Sequence, residues 1–134
     1  MARKDIIENE PSFLIHQRPY SETSQIIHVF SHRFGRIDLI AKGSKRPKSK
    51  FKSLLQPFLP LRLSWSGKSQ LKTLREAEIS GENISNIKGK HLIPAFYLNE
   101  LILSFLKIAD PYPDLFKLYT ATLHDLSESK SIEP

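Results

Sequence analysis

The sequence predicts a mainly β fold with an α-helical second part: a five-stranded barrel over residues 1–80, then two helices of a partial helical domain over 81–134. Three observations carry this reading. The first eighty residues alternate apolar and polar side chains in period two between turn-forming residues. A short helix-like segment separates the third strand from the fourth, and past Gly81 the periodicity becomes helical.

The elements follow in order. Residues 13–18 form the first strand, and Pro19, which cannot donate to a ladder, opens a turn in which Ser21 bonds its own backbone. Residues 25–31 form the second, with Ile27 and Val29 on one face and Ile26, His28 and Phe30 on the other. Phe34-Gly35 supplies a turn. Residues 36–41 then point Ile37, Leu39 and Ala41 inward, with Arg36 and Asp38 outward. Phe51, Leu54 and Leu55 recur at helical spacing, which predicts a short docked helix over 49–55, ended by Pro57. Residues 58–65 form the fourth strand, with Leu59, Leu61, Leu63 and Trp65 on one face and Pro60 marking an edge position. A hairpin loop over 66–69 leads to the fifth strand, 71–79, whose imperfect alternation predicts a bulge. Three strands, a short helix and two strands is the order of an OB-fold, a five-stranded barrel that often binds oligonucleotides.

Residues 92–108 read as a helix apolar over more than half its circumference, with Asn99, Glu100 and Lys107 as polar remnants. Asp110-Pro111-Tyr112-Pro113 interrupts it, and 114–127 forms a second helix carrying Leu115, Leu118, Tyr119, Leu123 and Leu126. Two helices do not cover that much apolar surface, so the segment reads as the start of a truncated helical domain or as a face for a partner.

The net charge of +6 is unevenly spread. Residues 1–80 carry 15 Lys/Arg against 7 Asp/Glu, and 81–134 carry 5 against 7, a split of +8 against −2. Six of the eleven residues 42–52, KGSKRPKSKFK, are basic and none is acidic. Flexible cations at that density neutralise phosphates without reading bases. The absence of cysteine excludes disulfides, thiolate metal sites and a zinc ribbon. The N-terminus has no apolar core of signal-peptide length, and no apolar stretch reaches membrane-spanning length, so the expectation is a cytoplasmic protein with no membrane contact. Without secretion, Asn83-Ile84-Ser85 reads as a chance match to a glycosylation acceptor.

No catalytic constellation emerges, and the expectation is a protein that is not an enzyme and has no cofactor or metal. His28 and His32 lie on a strand, about 13 Å apart by its rise and too far to share an ion. His16, His91 and His124 have no partner at ligand spacing, and Gly43 lacks the Walker spacing. Ser21, Thr23 and Ser24 read as a self-bonded turn without a positioned base.

Binding residues are better supported. Candidates for contact with a nucleic-acid backbone are Arg18, Arg33, Arg36, Lys42, Lys45, Arg46, Lys48, Lys50, Lys52, Lys72 and Arg75. Tyr20, Phe34 and Trp65 are candidate stacking platforms for unpaired bases. Trp65 has the core as its alternative, because its parity is that of Leu59, Leu61 and Leu63. Other readings are a protein-interaction module, or an RNA-binding OB module, whose basic loop serves solubility.

The runs RPYSETS (18–24), FGRIDLIAKGSKRPKSK (34–50), LLQPFLPLRLSW (54–65), LKTLREAE (71–78) and FYLNELIL (96–103) together resemble the RecO family of bacterial DNA-repair proteins. The resemblance covers most of residues 13–126, and the ordered combination of SETS, GR, AKG, LLQPF, LKTL and YLNEL makes it specific. It implies an N-terminal OB-fold and a helical C-terminal domain. It further implies a nucleoid-associated protein that binds single- and double-stranded DNA and anneals complementary strands. With RecR, RecF and single-stranded-DNA-binding protein, such a protein loads RecA. Members of the family continue for roughly another domain's length, in some with a cysteine zinc site. The family's contact with single-stranded-DNA-binding protein belongs to that helical domain, of which this sequence holds only the start.

Overall fold

The structure, a computed structural model, describes residues 5–80 and 87–128. The expected boundary at 80/81 and the Asn83-Ile84-Ser85 triplet lie at or outside the limits of the described residues. The strands are β1 (Ile6–Pro19), β2 (Gln25–Ser31), β3 (Gly35–Ala41), β4 (Leu61–Ser66) and β5 (Leu71–Ile79). A single 3-10 turn precedes the helices α1 (Leu92–Phe105) and α2 (Pro113–Glu128).

The strands close into a barrel in the order β1-β2-β3-β5-β4, antiparallel throughout except for the parallel β3–β5 pair. β1 closes it by serving two partners: Ser12–Pro19 pairs with β2, and Ile6–Ser12 with β4. The strand therefore starts seven residues before the expected position 13. Its first half hides from pattern reading because Glu10 is buried, Pro11 sits at the change of partner, and the register shifts between Ile7 and Glu10. Closure also leaves no edge. Pro60 precedes β4 instead of marking an edge within it, and its carbonyl accepts from the Ser80 amide. The expected bulge lies in the β4–β5 pairing. Ser64 faces Glu76 and Trp65 faces Leu74, which leaves Arg75 as the extra residue.

Alternation directs one set of side chains into the barrel, where Leu14, Ile27, Val29, Ile37, Leu39, Leu61, Leu63, Trp65 and Leu74 form the core. Trp65 is 1% exposed, so its ring belongs to this core. Phe51 and Leu55 plug it from the loop after β3. That loop docks as expected but holds no helix over 49–55. Its turns run from Lys52 N to Ser49 O, and from Leu54 N and Leu55 N to Phe51 O. Ser49 Oγ accepts from Phe51 N, and Gln56 Nε2 donates to Ser53 O, so side chains take the backbone groups a helix would use.

The opposite faces of β1 and β2 are apolar too. Phe13, Ile15 and Phe30 lie outside the barrel against Phe58 and a stripe from each helix: Ala95 and Ile102 of α1, and Phe116, Tyr119 and Leu123 of α2. Edge-on aromatic packing joins Phe13 to Tyr119 and Phe30 to Phe116, with centroids 5.0 Å and 5.3 Å apart. Asn99, a polar remnant in the apolar pattern of the helix, is buried in this stripe. It donates to Ile15 O and accepts from the Tyr119 hydroxyl. In α2 Phe116 is buried with Tyr119 and Leu123, whereas Leu118 is 62% exposed. Proline opens α2 and occupies the first turn of α1, where its missing N–H costs nothing. Ile93, Phe96, Tyr97 and Phe105 leave one side of α1 exposed.

α1 ends at Phe105 and does not run on to Ile108 as expected. Leu106 turns extended, Ile108 bridges to Arg36, and the Ala109 amide donates to the Arg36 carbonyl at 2.7 Å. Beside this seam Gly35 has φ +70°, and a Cβ there would lie 2.1 Å from the Asp110 carbonyl oxygen.

Candidate nucleic-acid interface

The basic loop is placed by strand register. Ala41, the last residue of β3, pairs with Gln25, the first of β2, so the chain leaving β3 lands beside the β1–β2 turn. There it is tied down: Lys45 N donates to Thr23 O at 2.9 Å, Gly43 N to Ser24 Oγ at 3.1 Å, and Ser44 Oγ to Gln25 Oε1 at 2.8 Å. The β1–β2 turn is itself closed by the amides of Thr23 and Ser24 on Ser21 Oγ, the self-bonding expected of this hydroxyl cluster. Gly43 takes φ +70°, a conformation that glycine adopts without strain. Between the two turns lies a concavity of ≈ 440 Å³, bordered by Tyr20, Thr23, Ile40, Lys42 and Arg46.

The structure separates the candidate cations into groups. Lys42, Arg46, Lys48 and Lys52 are exposed and, among the described residues, have no carboxylate partner. Lys45 reaches only the Ser21 carbonyl, at 3.3 Å. Arg18, exposed near the end of β1 beside the turn that carries Tyr20, has no carboxylate partner either. Of these, Lys42, Lys45 and Arg46 lie with the 57% exposed Tyr20 at one end of the barrel.

The remaining candidates have intramolecular partners. Lys50 pairs with Glu76 at 3.3 Å and lies over the Phe51 ring. Arg33 Nε lies 2.8 Å from Glu10, a fully buried carboxylate that also accepts from the Arg33 amide. Arg36 Nη1 donates to Leu103 O at 2.8 Å, and its Nε lies 3.5 Å from Asp38 in an ion-pair contact without hydrogen-bond geometry. Asp38 also meets His28 Nδ1 at 2.7 Å. Burial pushes the Asp38 carboxyl up, but His28 and Arg36 outweigh it and hold it below the ordinary aspartate value. Lys72 folds back onto the carbonyls of Gly67 and Ser69, and Arg75 Nε onto Ser66 Oγ. Arg75 and Lys68 share their concavity with Asp5, Glu8 and Glu76, so positive charge is offset there.

Phe34 packs edge-on against Trp65 under the Arg33 guanidinium. His28 and His16 stack at 5.9 Å, while His32 lies against Phe116. Among the described residues no group of three or more His, Cys, Asp or Glu is placed to hold a metal, and no helix is long and apolar enough to cross a membrane. Sequence reasoning missed Glu10, because the first strand was expected to start only at residue 13. It also missed Ile40, which lines the concavity from the outward face of β3.

Comparison with known proteins agrees with this architecture. The model of the family "Recombination protein O N terminal" matches residues 6–82, the barrel with its basic loop. DNA repair protein RecO of Nitrosospira multiformis is 46% identical over 127 residues, which is 95% of this chain and 52% of that protein. RecO of Polynucleobacter asymbioticus is 46% identical over 131 residues, covering 95% and 53%. RecO of Nitrosococcus oceani is 48% identical over 117 residues, covering 87% and 47%. The chain thus spans about half the length of the curated relatives it matches. With its matched segment coinciding with the closed barrel, the chain belongs to the recombination protein O N-terminal family.

Proposed function

We propose that this chain is the DNA-binding part of a non-catalytic mediator of recombinational repair. It binds single- and double-stranded DNA, anneals complementary strands and, with RecR, RecF and single-stranded-DNA-binding protein, helps load RecA in the bacterial cytoplasm. The observation that carries the reading is the group Lys42, Lys45, Arg46, Lys48 and Lys52, exposed and free of carboxylate partners among the described residues. Such a group screens the repulsion between two phosphate backbones and leaves base edges free to pair, which is what annealing requires. The relatives' name, DNA repair protein, supports the same reading.

Five neutralised phosphates give a slope of log K against log salt of about −3.5 for single strands. Titration of labelled oligonucleotides from low to high salt, run beside a strand-annealing assay, tests this. A salt-independent affinity overturns it, and tighter binding to RNA than to DNA of the same sequence turns the assignment to RNA. A second reading, a protein-interaction module, is favoured by the exposed Ile93, Tyr97 and Phe105 of α1. It requires capture of a partner such as RecR to survive charge reversal of the loop and to fail on Tyr97→Glu.

A further inference from the structure

The concavity between the two turns holds more than charge. Tyr20 presents an exposed ring at its rim, and its hydroxyl, like that of Thr23, has no hydrogen-bond partner among the described residues. Ile40, only partly buried, gives the wall an apolar patch, and Lys42 and Arg46 bring two uncompensated cations to the same space. The space is an open depression of ≈ 440 Å³. The walls are fixed in advance by the bonds from Lys45, Gly43 and Ser44 across to the opposite turn and strand.

We propose that this concavity is a subsite for a single unpaired nucleotide, with the base stacked on Tyr20 and its phosphate held between Lys42 and Arg46. The inference rests on the DNA-binding reading and deepens it. The neighbouring Lys45, Lys48 and Lys52 neutralise any backbone, single or double, whereas the subsite accepts only a base whose face is free. In duplex DNA that face is buried in the stack and must be freed at a cost of a few kcal/mol before it enters. The site therefore engages single strands, gaps and frayed ends first, and lets go of a base once it has found its complement.

The test compares the wild-type chain with Tyr20→Ala, Tyr20→Phe and the double variant Lys42→Glu/Arg46→Glu. The probes are a mixed-sequence DNA single strand carrying 2-aminopurine and the duplex of the same sequence. Tyr20→Ala is expected to weaken the single strand about 5- to 150-fold and the duplex less than twofold. It should abolish the quenching of 2-aminopurine and leave the salt slope unchanged, because no phosphate contact is lost. Tyr20→Phe should keep all of these properties, since stacking needs the ring and not the hydroxyl. The double variant should make the salt slope shallower for both probes. Equal loss of both probes in Tyr20→Ala, or no loss of either, overturns the subsite while leaving the loop as a DNA binder. Failure of the wild type to bind either probe overturns the reading on which it rests. Tyr20 is exposed, so its variants are expected to keep the wild-type circular dichroism.

Discussion

Arg33 and Arg36 carry the same charge as Lys42, Lys45, Arg46 and Lys48, and the two groups lie at opposite ends of a single strand, β3. At its start, each arginine has a carboxylate: Glu10 for Arg33, Asp38 for Arg36. Past its end, none of the four cations has a carboxylate partner among the described residues. The first group spends its charge on joints within the molecule, pinning the β2–β3 turn to β1 and the end of α1 to β3. The second has its charge available to a ligand. A count of basic residues along the chain therefore overstates the charge left without a carboxylate partner, and the position of the acids decides which cations keep it.

The sharpest test of this contrast is Arg36→Ala. It leaves the Leu103 carbonyl without its donor in a partly buried place and weakens the Asp38 cluster, so a loss of about 3 kcal/mol in urea unfolding is expected. DNA affinity per folded molecule should change less than twofold. A binding defect without a stability defect would dissolve the distinction. The reverse pattern is expected of Lys45→Glu/Arg46→Glu/Lys48→Glu. Annealing should fall about 100-fold, which is about 2.7 kcal/mol, with stability within about 0.5 kcal/mol of wild type.

Glu10→Ala should cost about 2 kcal/mol, because the Arg33 amide loses its acceptor and the guanidinium its anchor, while oligonucleotide binding is retained. Asp38 makes a smaller, pH-dependent contribution. Its pKa is lowered on folding from 3.8, so its stabilisation is complete above that value and is lost as pH falls through the folded value. Asp38→Asn should flatten the acid limb of a stability–pH curve, and an unchanged limb would assign acid unfolding to other groups. Smallest of all, Lys50→Ala removes an exposed pair with Glu76 and should change stability by less than about 0.5 kcal/mol.

What could be read in the sequence divides along a similar line. β3 was legible because clean alternation over 36–41 reflects a barrel wall whose inner face must be apolar, and β2 because 25–31 is rich in β-branched and aromatic residues. The barrel order followed from the succession of strands. The first half of β1 was not legible. Glu10 is buried there because Arg33, twenty-three residues away, supplies its partner, and no local pattern announces so distant a charge. Asn99 misled for the same reason: its amide is satisfied by Ile15 and Tyr119, neither of them near it in sequence. The cationic loop was legible as a concentration of charge. Its pairing with the Tyr20 turn depended on the Ala41–Gln25 register, which the chain discloses only when folded.

The close approach at Gly35 has a mechanical consequence. With the Asp110 carbonyl occupying the space a side chain would need, and Arg36 clamped to Leu103 and Ala109 beside it, the helices are not slung from a swivel. A pull on α1 is borne by β3 at one end, and the other end of that strand runs directly into the cationic loop. The helices and the cationic loop are thus tied to opposite ends of one strand, β3.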